Sequence, residues 1–234
     1  STWVAAADVT IRNESDAKSE ISTTKDGTIS NQTDRVIDLS NATDLITFDG
    51  EGKTITFVGT GNGGNGNAGF SVERAGKVTF ENFKSLTFES SKDGQDVGFV
   101  VSETDLDFGT SEKAIGSLTF NDVTFADWSS AQRSNVDIFA NQVTFNQTDG
   151  NYTIGLADVT VHDTGASEQK TTFNGSLNIW KGSLTVEGGS FEAGAVTTDG
   201  ASNEENQSLK GGSLILGQED ARLKRVSEIS CLMG

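Results

Sequence analysis

Val78-Thr79-Phe80-Glu81-Asn82-Phe83-Lys84-Ser85-Leu86-Thr87-Phe88 contains one phrase twice, an apolar residue, a threonine and a phenylalanine. In extended chain, successive side chains point to opposite sides, so Val78 and Phe80 share one face and Thr79 takes the other. The phrase returns at Ile46-Thr47-Phe48, Ile55-Thr56-Phe57, Leu118-Thr119-Phe120, Val123-Thr124-Phe125 and Val143-Thr144-Phe145. It drifts to Thr171-Thr172-Phe173, Leu184-Thr185-Val186 and Leu214-Ile215-Leu216, and other alternating stretches fall at 36–39, 99–101, 136–139, 153–156 and 158–161. Clusters of Gly, Asn, Asp and Ser separate them, and such residues supply positive φ or local side-chain hydrogen bonds. The chain reads as about twenty strands of roughly three to five residues joined by tight corners.

A sandwich, an up-and-down barrel and a parallel β-helix all use short strands. Sandwich and barrel strands run longer and turn on hairpin loops, and no Asn-Gly hairpin signal repeats here. A β-solenoid needs only one or two inward residues per strand and about 20 to 30 residues per coil. The positions of Phe57, Phe80, Phe120, Phe145 and Phe173 fit that repeat, with one interval long enough for an extra coil. At three strands per coil this predicts on the order of seven coils and a rod about 35 Å long. The chain has no proline. In a stacked solenoid nearly every strand donates its N–H groups to a neighbour, so proline breaks a ladder almost anywhere. The expectation is an all-β, right-handed parallel β-helix with a short C-terminal cap or tail.

Three segments follow. Residues 1–30 read as an N-terminal strand or cap region, 31–217 as the β-helix, and 218–234 as a C-terminal cap or disordered tail. Protruding loops are expected at Gly59–Gly69 and Gly200–Gln207. In the last segment Arg222, Lys224 and Arg225 gather positive charge, and Leu223, Val226, Ile229 and Met233 recur at nearly helical spacing, which predicts a short capping helix. Residues 1–7 lack the basic and long apolar regions of an intact signal peptide, so any such peptide is expected to have been removed.

The 234 residues carry 17 Lys+Arg against 34 Asp+Glu, a formal charge of −17 that repels phosphate backbones and anionic lipid. Nucleic-acid binding is excluded on that ground. No run of about 18 apolar residues predicts a membrane span, and a lone Cys231 forms no internal disulfide. Only 34% of residues are hydrophobic, as in disordered chains, yet 14 phenylalanines placed in β-branched runs have a core to fill.

Chemistry is sparsely signalled. His162, the only histidine, precludes a multi-histidine metal site, and no Gly-x-Ser-x-Gly elbow accompanies it, so a surface histidine beside Asp163 is expected. Carboxylates stacked on successive coils at one lateral position lie about 5 Å apart, close enough to bind Ca²⁺ or to split into acid and base. The pairs weighed are Asp105 and Asp107, Asp122 and Asp127, and Asp158 and Asp163, with Arg74 and Arg133 as the arginines of the strand-rich middle; none recurs in register in the sequence. The glycine run 59–69 lacks the Gly-Lys-Ser/Thr of a phosphate loop and the aspartate of a Ca²⁺ repeat. A file of Thr47, Thr56, Thr79, Thr87, Thr119 and Thr144 would make a hydroxyl ladder of ice-binding type, but their uneven spacing favours plain β-propensity. Sequons at Asn13, Asn31, Asn41, Asn146, Asn151, Asn174 and Asn206 are what an Asn/Ser/Thr-rich chain yields by accident.

The phrases Val78-Thr79-Phe80-Glu81-Asn82, Leu118-Thr119-Phe120-Asn121-Asp122 and Val143-Thr144-Phe145-Asn146, with Gly182–Val186 and Gly211–Leu216, resemble passenger regions of bacterial autotransporters and polymorphic outer-membrane proteins. The resemblance covers most of residues 30–217 but lacks the Gly-Gly-Ala-Ile repeat. It implies a right-handed parallel β-helix, a piece of a longer chain, displayed on or released from a Gram-negative surface and used for adhesion. Residues 212–220 also resemble a stretch of pentraxins, without that family's calcium and disulfide pattern. The functional expectation is a surface-exposed or secreted adhesin or structural binding module without catalysis, cofactor or metal. Its partner would be a host-surface or matrix glycan or protein, with no direct membrane insertion. Trp128, Trp180 and Tyr152 are the aromatic anchors if they lie outside the core. The alternative is a polysaccharide lyase or hydrolase using outward carboxylates.

Overall fold

A computed structural model describes residues 2–14, 17–18, 21–23, 29–30, 36–40, 45–59, 68–90, 97–126, 134–155, 157–199, 213–216 and 222–232. Among these residues the fold is all β, a parallel solenoid whose coils present three faces. The short strands β1 (Thr2–Val4), β2 (Val9–Glu14), β3 (Ala17–Lys18), β4 (Ile21–Thr23), β5 (Ile29–Ser30) and β6 (Ile37–Ser40) start it, with β3 antiparallel to β2 and β5 antiparallel to β4. The stack continues with β7 (Ile46–Gly59), β8 (Ala68–Ser90), β9 (Val97–Phe108), β10 (Ile115–Asn121), β11 (Val123–Ala126), β12 (Ser134–Ile138) and β13 (Ala140–Gly155). It is completed by β14 (Ala157–Val161), β15 (Lys170–Trp180), β16 (Ser183–Val186), β17 (Ser190–Asp199), β18 (Ser213–Leu216) and β19 (Arg222–Leu232).

Face A runs through β1, β7, β8, β9, β12, β14, β16 and β18, each paired in parallel with the next. Eight rungs at about 4.8 Å span about 34 Å, close to the length expected from the sequence. Face B is formed by β2, the second half of β7, β8, β10, β13, β15, β17 and β19. Face C includes Phe70–Val72, Phe99–Val101, Phe125, Ile154 and Ile179 in register.

The long strands β8 and β13 turn corners without leaving extended pairing, so three-to-five-residue strands are too short a description. Single residues with positive φ make the bends: Glu51, Arg74, Asn82, Glu103, Asp122 and Lys181 besides the glycines. A left-handed residue costs a Cβ-bearing side chain roughly 1–2 kcal/mol. The stacked pairing on both sides of each corner holds it there.

The inward residues build three ladders of phenylalanine. On face A Phe48, Phe80 and Phe108 lie parallel at 4.5 and 5.3 Å between centroids. On face B Phe57, Phe88, Phe120, Phe145 and Phe173 stack at 5.6, 5.5, 5.1 and 4.3 Å. On face C Phe70 stacks on Phe99 at 5.2 Å. Where the ladders meet the rings turn edge to face, Phe80 against Phe88 at 88° and Phe99 against Phe108 at 82°. All of these rings are at least 98% buried. Each contributes about 1.5–3 kcal/mol by burial, and favourable ring geometry adds about 0.5–1.5 kcal/mol per pair.

Three expectations change. The repeat threaded through Phe57, Phe80 and Phe120 mixes two faces, since Phe80 belongs to face A and the face-B ring of that coil is Phe88. The C-terminal helix is replaced by a strand, β19, which pairs with β17. The three-residue rhythm of Leu223, Val226 and Ile229 has a β origin: they pair with Phe191, Ala193 and Val196, with a bulge in the first interval and a corner in the second. The β2 strand likewise stacks on β7, so the solenoid ladder includes residues before position 31.

Candidate functional site

The inward plan is the same on every face, so the chemical differences lie in the outward positions. On face A the middle outward file reads Thr47, Thr79, Asp107, Asp137, Thr160, Thr185 and Ile215. Asp107 sits between inward Leu106 and Phe108, and Asp137 lies directly beside it one strand spacing away. These two aspartates on different coils, and not the pairs suggested by sequence proximity, form an in-register carboxylate pair in the middle of the face; Asp49 and Glu81 form another at its edge. A lysine and a histidine close the two ends of the middle pair. Lys77 Nζ lies 3.0 Å from Asp107, and His162 Nε2 lies 2.7 Å from Asp137. His162 Nδ1 faces Glu187 at 3.1 Å, and its ring stacks on Phe139 at 4.3 Å and 8°. Both imidazole nitrogens therefore face carboxylate oxygens, which fixes the plane of the ring. Burial pushes the Asp107 carboxyl up, and the hydrogen bond and charge of Lys77 only partly offset it; the same contact raises the Lys77 ammonium. Burial outweighs pairing for the acid because Asp107 is almost wholly enclosed while Lys77 is half-exposed.

The other acids have local duties. Asp122 accepts Thr148 N and Thr148 Oγ1, both at 2.7 Å. Asp158 accepts Ser183 Oγ at 2.7 Å, and Asp163 accepts Gly165 N at 2.8 Å. Asp105 is exposed on the edge of face A, and Arg74 occupies a corner. Asp127, Arg133, Trp128 and the loop 200–207 lie outside the described residues, as do 60–67 of the glycine run. Its two ends converge, so that a Cβ on Gly59 would fall 2.9 Å from Gly69 Cα. Tyr152 belongs to the core: it is 2% exposed, and its hydroxyl donates to Val123 O at 2.7 Å. Trp180 is half-buried, with Lys181 Nζ 5.0 Å from its ring centroid.

Face B differs. Its middle outward file is Thr10, Thr56, Thr87, Thr119, Thr144 and Thr172, six threonines in unbroken register. Uneven sequence spacing concealed this, because corner loops of different length separate the rungs. Thr47 and Thr79 stand on face A instead. Beside the threonines an amide chain runs along the axis. Asn121 Nδ2 donates to Glu89 at 3.1 Å, Asn146 Nδ2 to Asn121 at 2.8 Å, and Asn174 Nδ2 to Asn146 at 2.6 Å. Two of the sequon asparagines, Asn146 and Asn174, are therefore ladder members. Over the rungs 117–121 and 142–146 this face carries no charge at all.

On the other side of the threonine file, Gln142, Lys170 and Ser190 stack in register and floor an open cleft of about 750 Å³. The loop 162–169 walls it. Gln169, 3% exposed, pins that loop by donating to Ala140 O at 3.2 Å and His162 O at 2.7 Å while accepting Thr164 N. Thr164 Oγ1 adds a bond to Asn141 at 2.8 Å. The only sequence signal for this wall is a break in alternation after Val161, which does not distinguish a rigid loop from a loose one. The chain matches no protein family, no curated protein and no solved structure.

Proposed function

We propose that the chain is a surface-exposed or secreted β-solenoid that works as an adhesin or structural binding module without catalysis, in the manner of an autotransporter passenger on a Gram-negative surface. One observation carries this reading: the uncharged threonine and asparagine files of face B, continuous over successive coils of a chain whose net charge is −17. A repeated surface spreads its contacts over many weak groups, which suits holding an extended partner and does not concentrate reactivity at one bond. The test is to incubate the purified chain, with and without Ca²⁺, with neutral and acidic polysaccharides and with intact host cells, scoring retention and polymer shortening. Retention without shortening is expected. Shortening, or no retention on any polymer or cell, contradicts the reading.

A second reading, a polysaccharide hydrolase or lyase, is favoured by Asp107 and Asp137. Two stacked carboxylates, one raised by burial, are the arrangement that separates an acid from a base. Against it, each already has a side-chain partner within 3.0 Å, Lys77 on Asp107 and His162 on Asp137. If this reading holds, Asp107→Asn and Asp137→Asn each abolish shortening; unchanged shortening in both excludes these acids.

A further inference from the structure

We infer that the cleft between the 162–169 loop and the Gln142, Lys170, Ser190 file is the ligand subsite of this binding module, and that it takes a short segment of a neutral polysaccharide. The inference rests on the binding-module reading and adds a place and a ligand class to it.

The cleft is the right size and the right chemistry. At about 750 Å³ it falls within the range of ligand-binding clefts, roughly 300–1,000 Å³, while its lining is polar and holds no aromatic ring. A drug-like or lipid ligand would need apolar walls. A polyhydroxylated ligand needs groups that donate and accept at close intervals; Ser167, Glu168 and Lys170 supply both, and Gln142, whose amide N–H donates to Glu168 O across the cleft, adds its carbonyl as an acceptor. The wall needs little ordering on binding, because Gln169 and Thr164 already tie it to Ala140, His162 and Asn141. Its base is continuous with the threonine file, since Gln142 and Lys170 each stand two residues before Thr144 and Thr172 on the same strands. A polymer leaving the cleft therefore passes onto an uncharged hydroxyl surface.

Charge selects among polymers. Asp163 and Glu168 line the cleft, and Glu192 beside it already holds Lys170 at 2.7 Å. An acidic polysaccharide meets more carboxylate than ammonium. A basic peptide finds Asp163 turned to Gly165 N and Glu192 paired, which leaves Glu168 as the one lining carboxylate outside those two contacts. The walled shape also fits a flat crystal such as ice poorly, although the threonine register alone would suit one.

The experiment is affinity electrophoresis of the full chain through gels containing a neutral β-glucan, a neutral mannan, a polyuronate or a lysine-rich peptide. Retardation is expected in at least one neutral polymer. Ser167→Trp, which fills the cleft from an exposed position without removing a packed atom, is expected to weaken it at least tenfold, and Glu168→Gln to change it measurably. Thr185→Ala on face A serves as the control and is expected to leave it unchanged. Retardation by the polyuronate or the peptide alone overturns the inference, as does retardation by neither neutral polymer. Neutral retardation that survives Ser167→Trp overturns the cleft but leaves the binding module standing, whereas shortening of the polymer overturns the module itself.

Discussion

Faces A and B are two versions of one strand plan. Both place an apolar residue and a phenylalanine or aliphatic side chain inward around a single outward position, and both are paired in parallel along the rod. On face A that outward position changes from threonine to Asp107 and Asp137 and recruits Lys77, His162 and Glu187 around it. On face B it remains threonine for six rungs, with asparagines alongside. Inward residues therefore specify the solenoid, while outward residues are free to give each face its own chemistry.

The largest expected effect lies where the faces do not differ. Phe80→Ala on face A and Phe88→Ala on face B each remove a ring stacked on both sides, so each is expected to lower stability by about 3–5 kcal/mol in urea unfolding. A cost confined to one face would mean that the ladders are not equivalent.

Next comes the transplant of face A's acids to face B. Thr119→Asp combined with Thr144→Asp puts two carboxylates one strand spacing apart without the lysine and histidine that attend Asp107 and Asp137. The double variant is expected to lose about 1 kcal/mol relative to the matching alanine pair, a difference that 1 M salt should reduce.

The converse experiment removes a cation from face A. Asp107 is raised by burial even with Lys77 present, so the acid favours folding while protonated. That contribution is complete below the ordinary carboxylate range and is lost as the pH rises through the raised value. Lys77→Met should raise the carboxyl further. Its instability is expected to be absent in acid and to grow as the pH climbs towards neutrality, which urea midpoints across that range would measure. Equal instability at every pH would remove Asp107 from the explanation.

The smallest effect is on the amide ladder. Asn146→Ala breaks the bonds to Asn121 and from Asn174 and is expected to cost about 1 kcal/mol, since half-exposed hydrogen bonds exchange with water.

Much of this arrangement is legible in the chain. The repeated phrase predicts inward phenylalanines, and the absence of proline predicts unbroken ladders, because both follow from local alternation and hydrogen bonding. Which residues become neighbours is not local. Phe57 aligns with Phe88 and not with Phe80, and Asp107 with Asp137 and not with Asp105, because each coil contains three faces and corner loops of different length. The corners at Glu51, Arg74, Glu103 and Lys181 are hidden as well, since none of those residue types signals positive φ. At the C-terminus a bulge and a corner imitate a helical period, so β19 reads as a helix until its pairing with β17 is known.

The most direct test of the central claim, that face B and its cleft do the binding while face A is a charged counterpart, is a matched pair of variants. Thr144→Glu/Thr172→Glu places charge on face B, and Thr160→Glu/Thr185→Glu places it at the same outward position on face A. Both should be confirmed folded by circular dichroism and compared for retention on a neutral polysaccharide that holds the parent chain. Retention is expected to fall at least tenfold for the face-B pair and to stay unchanged for the face-A pair; equal loss from both, or loss from face A alone, would contradict that claim.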